Sequence, residues 1–143
     1  LDFCRFFIRL YLTLEHFPEK RLELFKVPGT DPVEYKCYDD LRNFQEEIQM
    51  DEKKLIFFEE ILEHFRMVGL DFDREKFFEF FCKIIINIVS LSDFNFMKIG
   101  LSLFIGESFL EHSCNPNSIL LCKGNKLEVR CIKNVSTNPE KKK

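Results

Sequence analysis

Apolar residues recur at three- and four-residue steps along the first part of the chain. This spacing matches one face of an α-helix, and a capping aspartate precedes two of the runs, at Asp51 and Asp73. The pattern predicts amphipathic helices over residues 1–17, from Asp51 to near Gly69, and from Asp73 onward. A weaker, polar pattern predicts another helix from about Asp39 to Gln49. The three apolar faces consist of Phe3, Phe6, Phe7, Leu10, Leu14 and Phe17; of Leu55, Phe58, Leu62 and Phe65; and of Phe77, Phe78, Phe81, Ile84 and Ile85.

Helices with apolar faces need one another for burial, so residues 1–89 are predicted to form a helical subdomain. Proline and glycine predict a loop within it, over residues 26–35. Residues 90–109 have a short and irregular pattern. After them, two apolar runs on either side of a turn at 123–125 predict a β-hairpin over 118–132. We therefore expect an α+β chain in which a helical part is followed by a β part over 90–135 and a polar tail over 136–143.

Phenylalanine is the main feature of the composition, with 18 of the 143 residues and no tryptophan. Each ring buries a large apolar area and has no polar group that needs a partner. The densest cluster lies at residues 77–81. We assign these rings to packing between the helices.

Charge and cysteine content exclude several classes of protein. The net charge of −3 disfavours nucleic acid as a partner, because phosphate binding depends on clustered lysine and arginine. No apolar run reaches the roughly 18 residues that a membrane span requires, so no membrane partner is expected. Six cysteines without a Cys-x-x-Cys pair indicate free thiols in a reducing compartment. We expect an intracellular protein.

The segment from Glu111 to Asn117 joins an apolar run to the hairpin and carries both an imidazole and a thiol. Pro116 fixes its own φ and favours extended geometry at the preceding residue, so a rigid loop that presents His112 and Cys114 is predicted. On spacing alone, the ordinary interpretation is a strand connection with a small apolar cysteine and a hydrogen-bonded histidine. The alternative is a loop that holds a ligand.

The residues Leu110-Glu111-His112-Ser113-Cys114-Asn115-Pro116-Asn117 resemble the Asn-His-Ser-Cys-x-Pro-Asn signature of SET-domain lysine methyltransferases. Further similarity lies in Ile99-Gly100-Leu101-Ser102-Leu103-Phe104, in Lys123-Gly124, in Leu127-Glu128-Val129-Arg130 and in Ile86-Asn87. The resemblance covers roughly residues 77–135 and indicates the SET and MYND domain (SMYD) branch of that family.

This resemblance implies methyl transfer from S-adenosylmethionine to a lysine of a protein substrate, in the cytoplasm or the nucleus. The residues that it implies at the cofactor are Asn87, Ser108, Phe109, Leu110, Glu111 and His112. Cys114 corresponds to the one zinc ligand of the SET core, which three later cysteines complete in the family. A structural zinc site needs four ligands, so zinc is expected only in a full-length protein.

The family's first SET strands, its MYND finger and its catalytic tyrosine have no recognisable counterpart here, so the resemblance implies a fragment without a catalytic residue of its own. Glu111 also departs from the signature. Asparagine both donates and accepts hydrogen bonds, whereas an ionised glutamate only accepts and adds negative charge. Two other hypotheses therefore remain. One is a non-catalytic SET-like scaffold that binds proteins and has an impaired cofactor site. The other is a helical interaction domain in which the His-Ser-Cys turn is coincidental.

Overall fold

The computed structural model describes residues 2–25, 34–92, 97–124 and 126–134. Its helices and strands confirm the predicted α+β class. In chain order they are α1 (Asp2–His16), β1 (Leu22–Phe25), β2 (Glu34–Cys37), α2 (Gln45–Gln49), α3 (Glu52–Met67), α4 (Arg74–Asn87), β3 (Ile88–Ser92), β4 (Lys98–Leu103), β5 (Ser118–Lys123) and β6 (Lys126–Cys131). Short 3-10 turns lie at Pro18–Arg21, Tyr38–Asp40 and Glu107–Phe109. None of the helices in the described ranges combines the length and the apolarity that a membrane span needs.

The three long helices begin close to where the sequence pattern predicted, and α1 and α3 also end there. The Asp51 carboxylate accepts a hydrogen bond from the Lys54 amide at 3.2 Å and caps α3, and Asp73 caps α4 by accepting from the Lys76 amide at 2.9 Å. Gly69, which follows α3, has a φ of +76° that glycine adopts without steric cost. Local capping chemistry therefore sets these boundaries.

Phenylalanine rings from three helices meet in one core. Phe7 of α1, Phe58 of α3 and Phe81 of α4 are at most 1% exposed. The ring of Phe81 stacks on Phe7 with centroids 5.7 Å apart and lies 5.2 Å from the ring of Phe58. Ile105, which follows β4, belongs to the same core. The core thus connects the helices to the segment that precedes the His-Ser-Cys loop.

Two β-hairpins lie where the sequence pattern predicted none. β1 pairs with β2 inside the part predicted to be helical, and β3 pairs with β4 in the stretch predicted to be irregular, with a bulge between Leu91 and Ser92. β1 and β2 have only four residues each, too few for an alternating pattern to be recognised against their flanks. A bulge shifts that alternation by one residue and obscures it further.

The polar helix predicted from about Asp39 to Gln49 forms only at its end, as α2. Residues 38–40 adopt a 3-10 turn instead, and Phe44 has a φ of +44°, which a continuous α-helix does not allow. Most of the predicted loop over 26–35 lies outside the described residues, although Tyr35 belongs to β2. The polar tail over 136–143 lies outside them as well.

The third hairpin, β5 with β6, confirms the prediction for residues 118–132. Its register places Ser118 opposite Cys131 and Lys123 opposite Lys126. None of its described side chains is buried, and none belongs to the phenylalanine core. Within the described residues, the hairpin therefore depends on its own ladder of hydrogen bonds.

Candidate functional site

A cleft of about 410 Å³ opens between two segments that are far apart in sequence. One wall is the segment after the 3-10 turn of Tyr38–Asp40, and the other is the segment that ends in the His-Ser-Cys loop. The residues that line the cleft are Asp40, Leu41, Arg42, Ser108, Phe109, Leu110, Glu111 and His112. The cleft combines apolar side chains with one cation and two carboxylates.

Two residues of α4 hold the first wall in place. The amide nitrogen of Asn87 donates to the Arg42 carbonyl at 2.9 Å, and the ammonium of Lys83 donates to the Asp39 carbonyl at 3.1 Å. Residues 83 and 87 lie one helical turn apart and therefore share a face of α4. Leu41, between the two attachment points, is buried in the core. The wall is thus fixed to the helix at both of its ends.

Lys83 has an unusual environment for a lysine, because its side chain is only 8% exposed. Its ammonium lies 3.3 Å from a carboxylate oxygen of Glu79 and 5.1 Å from the centre of the Tyr38 ring. Burial raises the pKa of the Tyr38 hydroxyl well above its ordinary value. Lys83 therefore contacts a carboxylate, a backbone carbonyl and the face of a neutral aromatic ring, which together compensate for its burial.

A salt bridge outside the cleft supports the same wall. The guanidinium of Arg21 pairs with the Asp39 carboxylate, with the Nε to Oδ2 distance at 3.2 Å, and lies 5.0 Å from the centre of the Tyr38 ring. This hydrogen bond from Arg21 is the main reason that the pKa of Asp39 is below its ordinary value. Residues 38–42 are therefore attached to the turn after α1 as well as to α4.

The second wall is positioned by polar contacts within its own turn and with α4 and β1. The Ser108 hydroxyl donates to the Phe104 carbonyl at 2.9 Å and lies 3.5 Å from the Asn87 carbonyl oxygen. The carboxylate of Glu23 on β1 accepts from the backbone amides of Ile105 and Gly106. The hairpin that the sequence pattern did not predict thus anchors the turn that leads into the site.

Glu107 lies in the same turn and is partly buried beside Glu23. Burial is the main cause of its raised pKa, and the negative charge of Glu23 adds to it. The Glu107 carboxylate thus lies near the Glu23 carboxylate, which binds the backbone amides of this turn.

The loop from Glu111 to Asn117 is exposed along its whole length. Its fold is local: the Asn115 amide donates to the Ser113 hydroxyl at 3.3 Å, and the Ile132 amide donates to the Asn117 carbonyl at 2.8 Å. Hydrogen bonds at both of these positions support the prediction of an ordered loop, and the second one attaches the loop to the end of β6.

The structure brings five of the six residues predicted at the cofactor into one cleft, from Ser108 to His112. Asn87 lies behind the opposite wall, where its amide nitrogen bonds the carbonyls of Arg42 and Lys83. Sequence reasoning missed Asp40, Leu41 and Arg42, because it assigned that segment to a helix. It also missed the two anchors, Lys83 and Glu23. No local signal indicated Lys83 or Glu23, since each side chain forms its hydrogen bond with a segment more than 40 residues away.

Cys114 lies outside the cleft. Its sulfur is 3.4 Å from Nε2 of His112, and both side chains are exposed. The described residues contain no group of three or more histidine, cysteine or acidic side chains that could hold a metal ion. Within this part of the chain, the thiol and the imidazole are the only two potential zinc ligands at this position.

Comparison with known proteins shows which sequences the chain resembles. Over 139 residues, which is 95% of the chain, the sequence is 29% identical to the histone-lysine N-methyltransferase ASHR1 of Arabidopsis thaliana. Over 80 residues it is 32% identical to the N-lysine methyltransferase SMYD2-B of Danio rerio, and over 63 residues it is 30% identical to the histone-lysine N-methyltransferase SMYD3 of Homo sapiens. These matches support a SMYD-like relationship for the chain.

The relationship to the SMYD-type enzymes is a distant one, and no family model matches the chain. The matches to SMYD2-B and SMYD3 cover 55% and 44% of the chain. They correspond to 18% and 15% of the lengths of those two proteins, and the match to ASHR1 corresponds to 27% of its length. The chain therefore spans at most about a quarter of the curated relatives it matches.

Proposed function

We propose that this chain forms part of a protein-lysine N-methyltransferase that uses S-adenosylmethionine, and that the cleft between residues 40–42 and 108–112 is its share of the cofactor site. The observation that carries the proposal is the position of residues 108–112, which belong to the part of the chain that resembles SMYD proteins. Five of the six residues that the resemblance assigns to the cofactor line a cleft whose opposite wall is fixed by hydrogen bonds from α4. The substrate would be a lysine of a histone or another protein, in the nucleus or the cytoplasm.

The cleft fits the cofactor in size and in most of its chemistry. A volume of about 410 Å³ lies within the range of small-molecule sites. Arg42 supplies a cation suited to the cofactor's carboxylate, and Phe109 and Leu110 supply apolar surface. Asp40 supplies an acceptor for hydroxyl groups. These residues bind and orient the molecule; the described residues do not include a group that we assign to proton transfer.

S-adenosylmethionine, when bound, supplies a methyl group activated by its positive sulfonium. The task of this chain's residues is then positioning, which contributes much of the rate in a displacement reaction. Asn87 acts on that task indirectly, because its side-chain nitrogen donates to the Arg42 carbonyl while its main-chain carbonyl oxygen lies 3.5 Å from the Ser108 hydroxyl. We propose that Asn87 sets the spacing of the two walls, in addition to any contact that its side-chain oxygen makes with the cofactor.

Zinc would be bound at Cys114, outside the cofactor cleft. Cys114 would be one of four ligands, and the described residues do not supply the other three. We propose zinc only for a longer protein that contributes further cysteines, and we assign it no part in the cofactor cleft.

Glu111 supports a second candidate function. It replaces the asparagine of the signature, and it lines the same cleft as Asp40. Two carboxylates against one arginine disfavour the cofactor's carboxylate, while they favour its ammonium group. If repulsion dominates, the chain is part of a SET-like scaffold that binds proteins without methylating them.

Calorimetric titration of S-adenosylmethionine into the chain, compared with its Glu111→Asn variant, tests both candidates. We expect saturable binding that is roughly tenfold tighter in the variant, because the repulsion is removed and a donor is gained. The Arg42→Ala variant is expected to bind roughly tenfold more weakly. Glu63→Gln and Arg66→Ala on α3 are the matched controls, since both residues are exposed and lie outside the cleft.

The possible outcomes distinguish the methyltransferase proposal from the scaffold proposal. Binding by the unmodified chain that depends on Arg42 supports the methyltransferase proposal. Binding only after Glu111→Asn supports the scaffold. Absence of binding in both, with the folded state verified by circular dichroism, would show that the cleft of this chain does not bind the cofactor by itself. An unchanged or weaker affinity in Glu111→Asn would refute the role given to that glutamate.

A further inference from the structure

A second, larger groove of about 720 Å³ lies between α1 and β4 and shares no lining residue with the cofactor cleft. Its apolar surface comes from half-buried side chains of α1 and from β4, where Ile99 is 67% exposed. The groove is lined by Phe3, Arg5, Phe6, Arg9, Leu10, Thr13 and residues 98–101. Apolar side chains of α1 and β4 thus line the groove together.

The charged residues of this groove all have the same sign. Arg5 and Arg9 lie one turn apart on α1, and Lys98 lies at the start of β4, where its ammonium is 5.5 Å from the centre of the Phe3 ring. The described lining contains no acidic side chain. Neither arginine forms an ion pair with another residue in the described ranges. Arg5 and Arg9 also line an adjacent depression with Ile8, so the positive charge continues beyond the groove.

On the strand side of the groove, β4 has backbone N–H and C=O groups that could pair with a further strand. Within the described part of the chain, β4 has β3 as its one hydrogen-bonded neighbour, so its second edge lacks a strand partner. Gly100 lies in the middle of the lining segment, and a Cβ at this position would meet no atom within 4 Å. A glycine in a strand permits close approach of another backbone. Residues 98–101 span roughly 13 Å, which is enough to pair with about four residues of an extended peptide.

We propose that this groove binds an acidic, extended protein segment that adds a strand to the free edge of β4 and directs its carboxylates to Arg5, Arg9 and Lys98. Strand addition explains why an unpaired edge and an apolar surface occur together. The positive lining selects for acidic side chains, although the chain as a whole carries a net charge of −3. This proposal does not rest on the methyltransferase proposal, because the two sites share no residue.

Fluorescence anisotropy with a short labelled peptide that alternates glutamate with valine tests this site. We expect saturable binding by the chain, and a loss of roughly tenfold or more in the Arg5→Glu/Arg9→Glu variant, because two attractive contacts become repulsive. Raising the salt concentration should weaken binding by the unmodified chain. The matched control is Lys53→Glu/Arg66→Glu, which makes the same change in charge on exposed positions of α3.

Two modified probes separate strand addition from simple charge attraction. A peptide with the same side chains but N-methylated at alternate residues cannot complete a backbone ladder, and we expect it to bind much more weakly. Equal binding of the two peptides, or an equal loss in both double variants, would overturn the proposal. Tighter binding of a labelled oligothymidylate than of the acidic peptide, lost in Arg5→Glu/Arg9→Glu, would also overturn it and assign the groove to nucleic acid. Circular dichroism of each variant verifies that it is folded.

Discussion

The helical part of the molecule and the hairpin of β5 and β6 are stabilised in different ways. Phe81 is enclosed by rings from two other helices, whereas Val129 on β6 remains 40% exposed. Isolated two-stranded hairpins are marginally stable in water, because they bury little apolar surface. The candidate cleft lies between these regions: α4 holds one wall, and the other wall continues into the exposed loop. The site therefore combines a rigid side with a weakly supported one.

The largest expected effect comes from removing a ring from the core. We expect Phe81→Ala to lower the free energy of unfolding by about 3 to 5 kcal/mol, since it loses buried area and leaves a cavity. Val129→Ala on the hairpin should cost less than about 1 kcal/mol. Urea denaturation followed by far-ultraviolet circular dichroism measures both. Similar costs for the two variants would show that the regions do not differ as proposed.

A smaller effect is expected at the wall that joins the two regions. Asn87→Ala removes the donor to the carbonyls of Arg42 and Lys83, and we expect a loss of about 1 to 2 kcal/mol. Hydrogen exchange should become faster in residues 39–42 and stay unchanged in β5 and β6. Asn134→Ala, at an exposed position after β6, is the matched control. Faster exchange throughout the chain would instead indicate a global loss of stability.

The smallest effect concerns the salt bridge of Arg21 with Asp39, whose side chains are both partly exposed. Because the folded-state pKa of Asp39 lies below the ordinary value of 3.8, its contribution is present above that value and is lost as the pH falls through the folded-state pKa. We expect Asp39→Asn to cost less than about 1 kcal/mol at neutral pH. In denaturation at a series of pH values, this difference should vanish in strong acid.

Asp71→Asn, in the turn between α3 and α4, is the control for this series, because it removes the same charge from an exposed position. An Asp39→Asn penalty that persisted in strong acid would show that the wall does not depend on this ion pair.

Sequence reasoning succeeded where the cause is local. The caps at Asp51 and Asp73 act on amides three residues away, so the boundaries of α3 and α4 could be predicted. It failed for the hairpin β1/β2, whose strands have only four residues each, and for β3/β4, which contains a bulge. The segment 39–42 was mistaken for a helix because its polar residues follow no pattern that reveals contact with a distant helix.

The sequence by itself determined the long helices, the α+β class, the β5/β6 hairpin and the SMYD-like segment from Ser108 to Cys114. These features depend on residues that are neighbours along the chain. Only the tertiary structure decided that residues 40–42 form the opposite wall, that Lys83 and Asn87 hold it, and that α1 and β4 line one groove. These contacts join residues dozens of positions apart, and they form because burial of the phenylalanine core brings the elements together.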